Sequence, residues 1–261
     1  MDLFILVLVN ILGLIIGSFL NVVIFRLESE EGLGGRSHCG KCTHMLSWYE
    51  LVPLFSFIFL RARCRKCKSS ISWQYPLVEL STALLFTGVY LVEGVSLTGL
   101  LMLVLFSFLV AIFWYDLRHL IIPNVLVYPF NALAFLLLFI GGDNILSLPF
   151  LLEVSAGPLV ALPLYLLWLV SGGRWIGFAD SKLALGTGWL LGVVSGFSAV
   201  MLAFWVGAVF SLSLLLIQKL LLVSPHFSLT MKSEVPFAPF LIVGLLLVYF
   251  FNINAFMLFV W

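Results

Sequence analysis

Long apolar segments recur along the whole chain, and they constrain its fold more than any other feature. A membrane-spanning helix needs roughly 20 apolar residues to cross a hydrocarbon core of about 30 Å. Eight segments approach or exceed this length: 3–25, 76–92, 97–115, 120–140, 146–169, 179–195, 198–218 and 237–260. Since 63% of the residues are hydrophobic and only 10% are charged, a soluble domain is excluded. We predict an all-α polytopic membrane protein with about eight transmembrane helices.

The basic residues predict how these segments are oriented. If the N-terminus lies outside, all 13 Lys and Arg residues lie inside, as expected for cytoplasmic loops. They fall in the first loop and at later inner ends: Arg26, Arg36, Lys41, Arg61, Arg63, Arg65, Lys66, Lys68, Arg118, Arg174, Lys182, Lys219 and Lys232. The outer connections then carry only the acids Asp2, Glu93 and Asp143. We predict that both termini face outside, and that the first segment, which lacks a basic leading region, remains as a membrane helix.

All four cysteines lie in the one sizeable polar stretch, residues 27–75, between the first two spans. Cys39 with Cys42 and Cys64 with Cys67 form two CxxC pairs, at a separation typical of zinc ribbons and knuckles. Two disulfides or four unrelated thiols are the alternatives, and the reducing cytosol disfavours disulfides. Four thiolates complete a tetrahedral Zn²⁺ site without an open position, so the pattern predicts a structural metal that holds a small loop together.

Two other interpretations of this loop concern its histidines and its charge. His38 and His44 flank the first cysteine pair and are alternative metal ligands. A basic zinc module also suggests nucleic-acid binding, but four acids dilute the charge and the loop is tethered to a membrane, so we expect no nucleic-acid partner. These acids are Glu28, Glu30, Glu31 and Glu50. We predict three parts: a first helix (1–26), a four-cysteine loop domain (27–75) and a seven-helix membrane domain (76–261).

Two aspartates stand where apolar segments meet polar sequence. Asp116 follows the third span and Asp180 opens the sixth, so the predicted orientation puts both at the cytoplasmic boundary. Carboxylates beside a low-dielectric region are costly and therefore functional candidates. If close together they would share a proton, and one would act as base on a water while the other donates to a carbonyl oxygen. Helix capping by Asp180 and ion pairs with Arg118 and Lys182 are the structural alternatives.

An ordered set of motifs covers nearly the whole chain. The motifs are GSFLNVVIFRL at 17–27, RSHC at 36–39, WYE at 48–50, RCRKC at 63–67, YPLVEL at 75–80, Asp116 with IPN at 122–124, GFADSK at 177–182 and VPFAPF at 235–240. This set resembles the type IV prepilin peptidases, also called leader peptidases with N-methyltransferase activity. The resemblance implies a GxGD-type membrane aspartic protease of the bacterial inner membrane in which Asp116 and Asp180 match the two catalytic positions.

The resemblance also implies substrates and a second activity. The substrates would be prepilins or pseudopilins of type IV pilus, type II secretion or competence systems, cleaved after a Gly that ends a short basic leader. Many members then methylate the new N-terminus from S-adenosylmethionine, and Glu50 and Glu79 match family positions for that activity. The residues themselves predict no such cofactor site, since Gly32, Gly34 and Gly35 indicate only a flexible turn.

Three alanines depart from the family pattern. Ala62, Ala179 and Ala238 stand where the family usually has glycine. An added methyl group restricts the backbone to negative φ and needs room beside it, but because these are the smallest possible changes we expect a compatible variant. A competing hypothesis is a noncatalytic, zinc-stapled membrane scaffold or assembly factor. A transporter is a weaker one, because neither aspartate is predicted at the bilayer midplane.

Overall fold

The computed structural model describes residues 2–29, 32, 34–140, 147–220 and 235–259. Asp143 and Lys232, which were used to predict the orientation, lie outside the described residues, as do Glu30 and Glu31. Within the described ranges the regular structure is helical, and β-pairing is limited to the isolated bridges His38–Met45 and Arg63–Ser70. The all-α prediction is therefore confirmed.

Eight of the helices in the described residues coincide with the eight predicted apolar segments, and a short ninth lies in the cysteine loop. Their bounds are α1 Leu3–Ser29, α2 Phe55–Phe59, α3 Gln74–Glu93, α4 Leu97–His119, α5 Asn124–Leu137, α6 Leu148–Ser171, α7 Phe178–Leu191, α8 Val193–Leu220 and α9 Ala238–Phe251. The described residues also include two 3₁₀ turns, Trp48–Glu50 and Ala255–Phe259.

Five of these helices, α1, α3, α4, α6 and α8, are long and apolar enough to cross a membrane. The count of eight spans is not confirmed, because α5, α7 and α9 have 14 residues each. Fourteen residues rise about 21 Å, less than a hydrocarbon core of about 30 Å. The predicted segments 179–195 and 237–260 were too long, because Gly192 and Asn252 adopt left-handed φ values of 80° and 51° that end α7 and α9.

The chain divides into two compact units, one up to Trp114 and one from Tyr115 onward. In the first unit α1 packs along α3 through two glycines. A Cβ on Gly13 would lie 2.6 Å from the Ala83 Cα, and one on Gly17 would lie 2.6 Å from the Glu79 Cα. Small residues four apart let two helix backbones approach closely, as is common between membrane helices. The predicted division at residues 26 and 75 stays a prediction.

In the second unit α7 packs against α5, α6, α8 and α9. A Cβ on Gly188 would lie 2.5 Å from the Ala156 carbonyl oxygen, and one on Gly186 would lie 2.3 Å from the Asn131 side-chain oxygen. Asn131 on α5 also donates to the Lys182 carbonyl at 2.9 Å. The glycines that weaken α7 as an isolated helix therefore allow its close packing against α5 and α6.

Candidate active site and metal centre

Asp116 lies in the last turn of α4 and is buried, with 4% of its surface exposed. The helix ends after His119 because Leu120 has a left-handed φ of 56°, and the Leu120 amide still donates to the Asp116 carbonyl at 2.9 Å. The Ala238 amide, which opens α9, donates toward the Asp116 carboxyl group. Oδ2 of Asp116 has no hydrogen-bond partner among the described residues. One carboxyl oxygen thus remains available for a bound group.

Asp180 occupies the third position of α7 and is also buried, with 8% exposed. The Gly177 amide donates to its Oδ2 at 3.1 Å. The alternative that Asp180 caps the helix start is therefore correct in geometry, yet capping uses only that one oxygen. A Cβ on Gly177 would lie 3.2 Å from Oδ2, so glycine at this position leaves the carboxylate room.

Both aspartates line one cavity of about 280 Å³ in the second unit. Its walls come from the turn after α4, from the segment that leads into α7, and from the segment before α9. The lining residues are Asp116, Leu120, Ile121, Ile122, Trp175, Ile176, Gly177, Phe178, Ala179, Asp180, Val235, Pro236 and Phe237. The charge of Asp116 acts on Asp180. The structure therefore brings the two predicted carboxylates into one mostly apolar chamber.

Lys182 does not pair with Asp180, as one structural alternative required. Its ammonium group donates to the Asn124 side-chain oxygen at 2.9 Å and to the Tyr128 hydroxyl at 3.3 Å, and lies 4.7 Å from the Phe178 ring centre. The IPN motif at 122–124 supplies that asparagine. Lys182 therefore connects the N-terminal part of α7 to α5 through these hydrogen bonds. The Asp180 carboxylate is not paired with this ammonium group and lines the cavity.

The three alanines that replace glycines behave differently. Ala179 lies inside α7 and Ala238 opens α9, and both have ordinary negative φ. Ala62 has a φ of 55°, in the left-handed region, and Arg61 before it has 51°. The expectation of a compatible backbone is confirmed for Ala179 and Ala238 and is wrong for Ala62, because the turn after α2 needs a conformation that alanine disfavours by about 1–2 kcal/mol.

The four cysteines form one cluster, with all four sulfur atoms within 4.8 Å of one another. The Cys39–Cys67 and Cys42–Cys64 sulfur distances are 3.9 Å and 4.0 Å. Four ligands at 2.3 Å from a tetrahedral zinc are about 3.8 Å apart, so the spacing fits that ion. It is much longer than a disulfide bond, which removes the paired-disulfide alternative.

Two matching turns present these sulfurs. The Cys39 amide donates to the His44 carbonyl and the Cys64 amide to the Ser69 carbonyl, at 2.9 Å and 2.8 Å. The Thr43 amide donates to the Cys39 carbonyl, and the Lys68 amide donates to the Cys64 carbonyl. Thr43 and Lys68 have left-handed φ values of 52° and 58°, respectively. The loop is therefore built from two zinc-knuckle-like turns with the same hydrogen bonds.

Thiolate, the form that binds a metal, is favoured at two of these positions, whereas desolvation and the neighbouring thiol groups raise the pKa of Cys42 to about 11. The Ser69 hydroxyl, 3.1 Å from the Cys67 sulfur, lowers the pKa of Cys67 to about 6. The backbone amides of Lys41 and Cys42 lower the pKa of Cys39. His44 contacts Glu50 at 3.8 Å, and neither it nor His38 joins the cluster found among the described residues.

Glu50 and Glu79 hold the backbone of the cysteine loop. Glu50 is buried, and its Oε2 accepts the Ser47 amide at 2.8 Å. Glu79, buried on α3, accepts the Leu54 amide at 2.8 Å. Each carboxylate thus caps a short turn that starts at Ser47 or Leu54. The other carboxyl oxygen of Glu50, Oε1, is buried without a hydrogen-bond partner among the described residues. A role for Glu50 and Glu79 toward S-adenosylmethionine stays a prediction.

Arg26 binds backbone carbonyl groups of the glycine-rich turn. From the sequence, this residue is interpreted only as a positive charge that indicates orientation. Its guanidinium is buried and donates to the Gly32, Gly34 and Gly35 carbonyls at 3.1, 2.7 and 3.3 Å. The sequence does contain a signal for this contact. An arginine ends the first span just before a glycine-rich turn, and glycines have no side chains that would block access to the turn's carbonyl groups. The turn predicted to be flexible is therefore held by a side chain of α1.

Comparisons with known proteins agree with the family that the sequence motifs indicate. Residues 11–92 match the Bacterial Peptidase A24 N-terminal domain, and residues 103–212 match the Type IV leader peptidase family. No solved structure matches significantly.

Three curated relatives share the name Prepilin leader peptidase/N-methyltransferase. The Aeromonas salmonicida protein is 33% identical over 91% of this chain and 87% of its own length. The Bacillus subtilis protein is 30% identical over 93% of this chain and 92% of its own length. The Myxococcus xanthus protein is 47% identical, but over 46% of this chain and 36% of its own length. The chain belongs to the type IV leader peptidase family.

Proposed function

We propose that this chain is a membrane aspartic endopeptidase that cleaves the leader from prepilins or pseudopilins. The observation that carries the proposal is that Asp116 and Asp180, from two different helices, line one cavity and lie near enough for their charges to interact. The relatives that align along most of the chain bear the name prepilin leader peptidase. A scaffold would not need two buried carboxyl groups facing one chamber.

The chemistry uses one proton held by the carboxyl pair. The ionised carboxylate takes a proton from a water, and the resulting hydroxide bonds to the scissile carbonyl carbon. The protonated carboxyl gives its proton to the carbonyl oxygen, which forms a tetrahedral intermediate. When that intermediate collapses, the C–N bond breaks, the leaving amine takes a proton from one carboxyl group, and a hydroxyl of the intermediate returns a proton to the other, which restores the single shared proton. The shared proton belongs to the dyad and not to either aspartate alone.

The position of the cavity suits a substrate whose cleavage site lies beside a hydrophobic helix. The cavity lies at the C-terminal end of α4 and the N-terminal ends of α7 and α9. At its rim Ile121 and Trp175 are 64% and 71% exposed. Such a rim can contact an apolar helix while the adjoining peptide bond enters the chamber. In the predicted orientation this is the cytoplasmic face of the inner membrane.

The proposal is tested by coexpressing the chain with a prepilin-like substrate and measuring the substrate's N-terminus by mass spectrometry. The unaltered chain should remove the leader, and Asp116→Asn and Asp180→Asn should leave it attached. Glu153→Gln, which neutralises an exposed acid of α6, is the matched control and should cleave normally. If both asparagine variants cleave as fast as the unaltered chain, the dyad is wrong.

We propose that Zn²⁺ is the metal held by Cys39, Cys42, Cys64 and Cys67, and that its role is structural. The four-thiolate set leaves no open position for a substrate or water. Purified protein should contain zinc in a one-to-one ratio with the chain. Cobalt substitution should give the visible absorption of tetrahedral thiolate coordination, and folded protein without metal would contradict the assignment.

Methylation of the new N-terminus is the second activity carried by the relatives' names. Glu50 and Glu79 are bound to loop amides, so we derive no methyl-transfer step through them. The mass of the cleaved product decides the matter: an added methyl group supports the activity, and an unmodified N-terminus made with S-adenosylmethionine present excludes it for that substrate.

A further inference from the structure

The cysteine loop carries an exposed apolar surface that the proposed peptidase chemistry does not use. It is formed by Trp48, Phe55, Ile58, Phe59 and Trp73, and we call it the α2 surface. Phe59 is 82% exposed, and Ile58 and Trp73 are each 69% exposed. A cluster of large apolar side chains of this kind usually marks a contact with another protein or with a membrane.

The contacts of α2 place this surface beside the start of a candidate membrane span. The amide of Leu54, which precedes α2, donates to Glu79 at 2.8 Å. Glu79 lies five residues beyond the first residue of α3, about 7.5 Å along its axis. The Phe57 and Trp73 rings meet at 5.0 Å. Since α3 is long and apolar enough to span a bilayer, a bilayer crossed by α3 would have its boundary near the level of α2.

The charge around the α2 surface identifies the kind of membrane. Residues 51–78 contain no Asp or Glu, and five exposed basic residues follow α2: Arg61, Arg63, Arg65, Lys66 and Lys68. Anionic lipid head groups attract such a run, and tryptophan is enriched at the interface between head groups and acyl chains. Beneath α2 lies a cavity of about 430 Å³ whose lining is apolar except for Arg61.

We propose that the α2 surface lies in the interfacial layer of an anionic bilayer, with the basic run from Arg61 to Lys68 on the head groups. The cysteine loop is then a membrane-seated module and not a freely projecting domain. The metal would hold the basic turn at 64–67 in place above the head groups. This inference does not depend on the peptidase activity.

The full chain is reconstituted in nanodiscs of phosphatidylcholine with or without phosphatidylglycerol. A phospholipid with a photoreactive group near the top of its acyl chain is cross-linked, and the modified residues are identified by mass spectrometry. Labelling should include Phe55, Ile58 and Phe59. It should be stronger with phosphatidylglycerol and should weaken as salt is raised, because salt screens the basic run.

Paired variants separate this contact from a folding effect. Phe59→Glu should reduce labelling of Phe55 and Ile58 by about threefold or more, whereas Phe59→Trp should keep it, since tryptophan suits the interface. Arg63→Gln with Lys66→Gln should remove most of the phosphatidylglycerol dependence. Zinc content, measured in each variant, should stay unchanged and so report that the loop is folded.

Three results would overturn the inference. The first is lipid labelling confined to the spanning helices in every lipid mixture. The second is cross-linking of the α2 surface to a second copy of the chain in place of lipid. The third is protection of this surface from labelling by water-soluble reagents only when a prepilin is added, which would make it a substrate-docking surface.

Discussion

The cysteine cluster and the aspartate cavity are assembled in opposite ways. The cluster uses two short turns within residues 39–67, each closed by its own backbone hydrogen bonds. The cavity is lined by Asp116 and by residues 120–122, 175–180 and 235–237, which meet only when the helices pack. If the local site depends on the proposed metal and the distributed site depends on helix packing, the two should fail under different substitutions.

Loss of one thiolate should have the largest effect on structure. Structural zinc contributes on the order of 10 kcal/mol of binding free energy in small metal-folded domains, more than a loop of this size can supply by burying apolar surface. Cys64→Ser should therefore abolish stoichiometric zinc and expose the amides of the loop to hydrogen exchange. The amides of α7 should keep their protection. Unchanged exchange in the loop would show that the metal is dispensable there.

A methyl group added between α7 and α6 should damage the distributed site. In Gly188→Ala the new Cβ would meet the Ala156 carbonyl oxygen at 2.5 Å, and such overpacking lowers the free energy of unfolding by about 1–3 kcal/mol. Thermal unfolding in detergent measures the loss. Gly40→Ala is the control, since nothing lies within 4 Å of its added Cβ and its melting temperature should hardly change. Equal effects at both sites would mean that α7 packs less closely than described.

A glycine-to-alanine substitution beside the Asp180 carboxylate should affect cleavage activity more than it affects stability. In Gly177→Ala the new Cβ lies 3.2 Å from Oδ2 of Asp180, so the carboxylate must shift by a few tenths of an ångström. Small misplacements of a reacting group lower rates steeply, and we expect roughly a tenfold loss in cleavage rate with little change in melting temperature. A variant that cleaves at the normal rate would show that Gly177 does not position Asp180.

Sequence reasoning selected the residues that the structure brings together in the cluster and the cavity, but not their geometry. The CxxC spacing predicted the cluster almost completely, because two local turns determine it. The aspartates needed the span order and the charge distribution to be placed on one boundary, and neither predicts how Gly186 and Gly188 pack α7. The lengths of α7 and α9 were missed, because hydropathy continues past the left-handed residues Gly192 and Asn252 at which the helices end.

Two alanines provide the smallest and most discriminating comparison. Ala62→Gly should raise the free energy of unfolding of the cysteine loop by about 1 kcal/mol, because Ala62 has a left-handed φ of 55°. Ala179→Gly should lower the free energy of unfolding of the second unit by about 1 kcal/mol, because Ala179 is helical. Hydrogen exchange of the amides in each region measures both changes in the free energy of unfolding. Shifts of the same sign would contradict the backbone conformations that separate the two positions.

The central claim is that Asp116 and Asp180 act as one unit. The most direct measurement is the cleavage rate of a purified prepilin by the unaltered chain, by Asp116→Asn, by Asp180→Asn and by the double variant. Each single variant should lose roughly a factor of 10² to 10⁴, and the double variant should be no slower than the slower single, as for residues that work together. If the two single losses instead multiply in the double variant, the aspartates act independently and the dyad is refuted.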